Sequence, residues 1–271
     1  MEIKNKYGAA LVEQSTNINT KSFEFTLAEG ATHVNLSPTK AKVGFTLAEV
    51  LITLGIIGVV AAMTIPILLT NYKANRLRTQ FLKTYSVVQQ VFKQMEADDV
   101  STNPSDYVRV KGGTGDFYRV FKNYLTGVTN CGDVLSSRVS ATPCVSIAYD
   151  KPVYKTLDGS NDIDNHLFDD GQLALPDGTL LLFEQSMGAN YIWIFADING
   201  AKNPPNRLGY DLFAFEFCDG VLRTMGDKGT KYTDMDKYCN LESSEANNGM
   251  TCAQKAKAES EYFKTLVKKL K

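Results

Sequence analysis

Histidine is nearly absent from this chain, with two in 271 residues, His33 and His166. That scarcity argues against a histidine-dependent active site, because imidazole is the side chain that titrates near neutral pH without help. Gly-x-Ser-x-Gly, His-Glu-x-x-His and phosphate-loop patterns are also missing, so no enzyme is expected. Neither sign of charge is in excess: 29 Lys and Arg stand against 30 Asp and Glu, a net −1. Net charge therefore lends no support to a nucleic-acid partner, and none is expected. The first 130 residues hold no cysteine; all five lie beyond them, which suits an oxidising compartment outside the cytoplasm. Charge is lacking altogether from Val50 to Leu69, which reads VLITLGIIGVVAAMTIPILL.

Twenty such residues, at about 1.5 Å of rise each, match a hydrocarbon core of roughly 30 Å, so a membrane-spanning helix is expected there. Glu49 stands at the lip of this run, five residues after Gly44. A carboxylate in lipid costs on the order of a few kcal/mol and usually marks a functional position.

Beyond Thr70 the chain turns polar but keeps helical spacing. Leu77, Phe81, Tyr85, Val88, Phe92 and Met95 recur at three- and four-residue steps and form one apolar stripe. Neither proline nor glycine interrupts Asn71 to Ala97, so one helix from about 45 to 97 is expected. Pro66 has no amide proton and should kink or locally melt it. The stripe suits packing against a sheet better than a coiled-coil seam. Further on, Phe117 to Leu125 reads as a short helix, and Val145 to Tyr149 as a strand. Leu173 to Glu184, folded about Pro176-Asp177-Gly178, reads as a hairpin. Tyr191 to Phe195 and Leu212 to Phe217 are aromatic strand candidates, close enough in sequence for an antiparallel sheet. Ala253 to Leu270 returns to helical spacing.

Lys42-Val43-Gly44, then Phe45-Thr46-Leu47-Ala48-Glu49, then a glycine- and isoleucine-rich helix interrupted by Pro66, resembles a type IV prepilin or type II secretion pseudopilin. The resemblance implies an α+β, pilin-like fold: a long N-terminal helix packed on a small antiparallel β-sheet head. It implies a leader, residues 1–44, removed after Gly44; a transmembrane and polymerisation helix, 45–69; an amphipathic continuation, 70–97; and an extracytoplasmic head, 98–271. Phe45 would become an N-methylated first residue, and Glu49 the acid that meets the terminal amine of a neighbouring subunit. Partners would be a prepilin peptidase and methylase, other pilin or pseudopilin subunits, an inner-membrane assembly platform and membrane lipid. This leader would be longer than is usual in the family. It also carries an echo of the motif, Phe25-Thr26-Leu27-Ala28-Glu29, with no apolar run behind it.

Two loops bear on chemistry. From Asp197 to Asp211, alternate oxygen-bearing residues surround Gly200, the pattern a hard cation such as calcium takes, with Asp197, Asn199 and Asp211 as ligands. The same composition suits a long turn built for backbone reasons, and that reading is favoured. Asp158, Ser160, Asp162 and Asp164 repeat the alternation and read as a solvated loop. Cys131 with Cys144 and Cys239 with Cys252 are the simplest disulfide pairs, leaving Cys218 as a buried free thiol.

The function expected is a structural subunit of a type IV pilus, a secretion pseudopilus or a competence filament, which the residues do not separate. The rival is a single-pass anchored protein whose head binds a ligand outside the cytoplasm. Flanking charge complicates orientation. Lys40 and Lys42 precede the span, whereas Lys73, Arg76, Arg78 and Lys83 follow it, so a positive-inside count would put the head in the cytoplasm. The cysteines and the processing motif outweigh that count.

Overall fold

The computed structural model describes residues 44–107, 116–132, 143–146, 152–185 and 190–270. The chain divides into two compact units, Met1–Ile52 and Thr53–Lys271. Residues 1–43, with the motif echo among them, lie outside the described residues.

Helix α1 spans Leu47–Ala97 and runs unbroken through Pro66, so the local melting anticipated at a mid-helix proline does not occur. From Leu54 to Leu69 every large apolar side chain is 51–68% exposed. It is the one helix among the described residues long and apolar enough to cross a membrane. From Thr70 onward the helix acquires a buried side, and all six stripe residues from Leu77 to Met95 are buried. Asp99 ends it in a left-handed conformation, φ 55°. There Val100 N donates to Met95 O at 2.9 Å and Asp99 N to Glu96 O at 3.2 Å, which satisfies two of the carbonyls a helix end leaves open.

The stripe packs on six antiparallel strands: β1 Thr129–Gly132, β2 Gly171–Ala174, β3 Leu180–Glu184, β4 Tyr191–Asp197, β5 Leu212–Cys218 and β6 Val221–Thr224. Each strand pairs with its sequence neighbour, in the order β1 to β6. Helix turns meet alternate β5 residues: Phe81 lies 4.8 Å from Phe213, Tyr85 5.4 Å from Phe215 and Phe92 3.9 Å from Phe217, ring centre to ring centre. The other sheet face carries Leu180, Leu182, Trp193, Phe195 and Ala214, covered by Tyr154, Phe168, Met225 and Met250. Burial on both faces is why β4 and β5 read as continuous apolar runs rather than alternating ones.

Short helices complete the fold: α2 Asp116–Lys122, α3 Met235–Tyr238, α4 Cys252–Ala258 and α5 Tyr262–Lys269. The hairpin expected at Leu173 to Glu184 forms as β2 and β3, closed by Leu175 N donating to Thr179 O at 2.8 Å, with Gly178 at φ 90°. The strand expected from Val145 is not seen at Val145 and Ser146; its remainder lies outside the described residues. Val145 is instead clasped by the Gln172 side chain, which accepts from its N–H at 2.7 Å and donates to its carbonyl at 3.0 Å. Cys131–Cys144 and Cys239–Cys252 are both bonded. Cys218 is free but only half-buried, since the end of β5 is not covered as the middle is.

Candidate functional site

At the N-terminal segment, Gly44, Phe45 and Thr46 precede the first turn of α1, and Phe45 is 88% exposed. Thr46 caps the helix. Its N–H and its hydroxyl each donate to Glu49 Oε2 at 2.8 Å, and Glu49 N donates back to Thr46 Oγ1 at 3.2 Å. This reciprocal arrangement satisfies backbone donors that a helix start leaves open. Glu49 thus has a local partner before any other molecule is considered. The Thr-x-x-Glu spacing from Thr46 to Glu49 is the sequence signal of such a cap.

The second site lies where β4 hands over to β5. Asp197 closes β4 opposite Leu212, and Asp211 immediately precedes β5, so antiparallel register brings the two ends of the loop together. Ile198 N donates to Asp211 O at 2.9 Å, extending the ladder into the loop. Both side chains are fully buried, at 0% exposure. Asp197 Oδ1 accepts from Gly200 N at 2.8 Å and Asn199 N at 3.3 Å, while its Oδ2 accepts from the buried Tyr154 hydroxyl at 3.0 Å. Asp211 accepts from Arg207 N at 2.6 Å and Asn206 N at 3.0 Å. Gly200 is required here: its φ is 80°, and a Cβ would fall 2.7 Å from Gly178 O.

These bonds account for the turn reading, yet they leave a surplus of acceptors. Asn199 and Asn203 exchange side-chain amide bonds with each other's carbonyls at 2.8 and 2.6 Å, and Asn206 Nδ2 donates to Ala201 O at 2.7 Å. That leaves the Oδ1 atoms of Asn199 and Asn206 buried with no donor. Among the described residues no cationic side chain pairs with either carboxylate; the Arg207 guanidinium turns to Leu157 O and Asp158 O instead. Burial, then the charge of Asp211, pushes Asp197 up to about 7. Burial pushes Asp211 up to about 6 against the pull of the Arg207 and Asn206 amides. Buried acids and orphaned amide oxygens with no counter-charge are the donor set of a hard cation, which takes six to eight oxygens. Asp197, Asn199 and Asp211 supply buried oxygens of this kind, and Asn206, not singled out from the sequence, supplies another.

The other alternating loop offers no such surplus. Asp162 pairs with Lys155 at 2.8 Å, Asp164 accepts from His166 N at 3.0 Å, and Asp158 accepts from the Thr156 hydroxyl at 2.6 Å. Asp169 and Asp170 are buried beside Glu184, with one oxygen of each within 4.8 Å of the others. None of these three lacks a partner.

No protein-family model, no curated protein and no solved structure matches the chain.

Proposed function

We propose that this chain is a prepilin-like structural subunit, cut after Gly44, methylated at Phe45 and assembled through its apolar helix into a type IV pilus or type II secretion pseudopilus. One observation carries the reading: the Gly44-to-Glu49 sequence opens a helix whose first half exposes apolar side chains and whose second half is the spine of a β-sheet head. On this reading the exposed half lies first in the inner membrane, with the head outside the cytoplasm, and later in a filament core. A terminal amine from a neighbouring subunit would then replace Thr46 as the partner of Glu49, since an acid in lipid is tolerated when it gains a cation. The peptidase, the assembly platform and sister subunits are the partners this implies.

Calcium is the ion we assign to the Asp197–Asp211 loop, with Asn199 and Asn206 as neutral ligands. Bound, it would supply the positive charge that the two buried carboxylates lack, and so fix the β4–β5 connection.

The test is the mature terminus. Expressed beside a prepilin peptidase, the wild-type protein should begin at a methylated Phe45 by mass spectrometry, and Gly44→Ala should retain the leader and fail to assemble. Identical termini in the two proteins would sink the proposal. The rival, an uncleaved anchor with a ligand-binding head, draws on the Thr46–Glu49 cap, which explains the acid without any assembly step. It would keep residues 1–44 and act without polymerising.

A further inference from the structure

A groove of about 450 Å³ opens where α1 changes character, lined by Pro66, Ile67, Thr70 and Asn71 of α1 and by Lys264 and Lys268 of α5. Among the described residues no carboxylate lines it. Its apolar floor is Pro66 and Ile67, the latter 63% exposed, next to Thr70, the first buried residue of α1. The two lysines lie four residues apart, on one side of α5. The opposite side of α5, with Phe263, Leu266 and Val267, is buried in the core. Its height along α1 is fixed, because Phe263 packs 5.9 Å from Phe81 and the Arg78 guanidinium donates to Glu259 O at 3.2 Å. Lys264 shares its charge with Glu261 at 3.0 Å; Lys268 has no ion partner among the described residues.

We propose that Lys264 and Lys268 hold the phosphate of an anionic phospholipid headgroup, whose acyl chains lie along the Pro66–Leu69 turn of α1. The inference rests on the reading that the exposed half of α1 is in a bilayer. Three observations favour lipid as the occupant. The groove is continuous with the apolar span, so a phosphate there has hydrocarbon directly on one side of it. Ammonium groups and a phosphate are complementary in charge and form strong charge-assisted hydrogen bonds. Tyr72, 68% exposed, and the exposed Lys73 stand on the next turn, as interfacial anchors do at a headgroup layer. This also gives Lys73, one of the charges that offend the positive-inside count, a use: it stands with Lys264 and Lys268 in a collar on the far leaflet.

The full chain, in nanodiscs of equimolar phosphatidylglycerol and phosphatidylcholine, can be released into native mass spectrometry and its retained lipids counted. Each juxtamembrane lysine near an anionic surface is worth roughly fivefold in binding constant. Fivefold from each of the two multiplies to about 25-fold, so wild type should retain phosphatidylglycerol over phosphatidylcholine by about that factor, a preference that weakens as salt is raised. Lys264→Gln/Lys268→Gln should bring the ratio close to unity, and Lys264→Arg/Lys268→Arg should restore it. Lys268→Gln alone, at an exposed position, guards against misfolding and should lose part of the preference with Trp193 fluorescence unchanged. Equal retention of the two lipids by wild type overturns the proposal, as does a preference that survives the double glutamine variant. A variant that keeps its lipid preference but loses self-association would assign the collar to an acidic protein surface, and likewise overturns it. Failure of the wild type to float with vesicles of any composition would instead remove the membrane reading itself.

Discussion

Raising the pH in the presence of a chelator charges the two carboxylates buried at the β4–β5 loop, Asp197 and Asp211, with no cation to meet them. Against an ordinary value of 3.8, Asp197 is pushed up to about 7 and Asp211 to about 6. At about 1.36 kcal/mol per unit, these shifts correspond to about 4 and about 3 kcal/mol. Repulsion by Asp211 enters the Asp197 shift only, whereas burial raises both, so the expected total for the pair is about 4–7 kcal/mol. Between pH 4 and 7 the folded protein keeps protons that the unfolded chain has released, so stability is full at the acid end of this window and is lost as pH rises through it. Asp158, Asp164 and Asp177, whose carboxyls sit below the usual range, act in the opposite direction, but their contribution is complete by about pH 5. Urea unfolding of the detergent-solubilised full chain, followed by fluorescence of the single tryptophan, Trp193, should give a lower midpoint at pH 8 than at pH 5 with chelator present. Calcium at a hundred times its dissociation constant should return about 2.7 kcal/mol at pH 8 and much less at pH 5. Asp197→Asn should flatten the pH dependence and abolish the calcium response. An unfolding midpoint in chelator that stays level or rises from pH 5 to pH 8 would refute the electrostatic reasoning. A calcium response that survives Asp197→Asn would refute the ligand assignment.

Two further outcomes follow from the packing. Phe92→Ala removes a ring that sits 3.9 Å from Phe217 and contacts Phe117 and Phe121, and it should cost about 3–5 kcal/mol in the same unfolding assay. Replacing Cys239 and Cys252 together by serine frees a loop closed across 13 residues and should cost about 3 kcal/mol, whereas Cys218→Ser, at a half-buried unbonded thiol, should change stability by less than about 1 kcal/mol.

Much of this architecture is legible in the sequence where a physical period writes it there. The stripe from Leu77 to Met95 is legible because a helix must repeat its buried side every three or four residues, and the hairpin because Pro176-Asp177-Gly178 permits little else. The cysteine pairs were readable from their matched spacing. By contrast β1, Thr129-Asn130-Cys131-Gly132, carries almost nothing of a strand in its composition; it forms because β2 offers it an edge. Short β6, Val221–Thr224, is hidden for the same reason. Depth is the other quantity a sequence conceals. Asp169 and Asp170 look like any loop acids until the sheet closes over them, and nothing in the Asp197–Asp211 spacing tells that both acids end up without solvent. Asn206 belongs to the candidate site because its buried amide oxygen lacks a donor, which its place in the sequence does not tell.

The strictly consecutive strand order, β1 beside β2 through to β6, has a consequence for how the head is made. From β2 to β6 each strand finds its partner among residues that have only just preceded it, so short loops are closed one after another; β1 alone waits, across residues 133–170, for β2. A chain released N-terminus first can thus extend its sheet edge by edge upon α1, the earliest element available. Only the last docking, of α4 and α5 back onto that helix, joins the two extremes of the described fold. Truncation before Cys252 should consequently leave a sheet that forms but stays unsealed, a species that proteases would find readily.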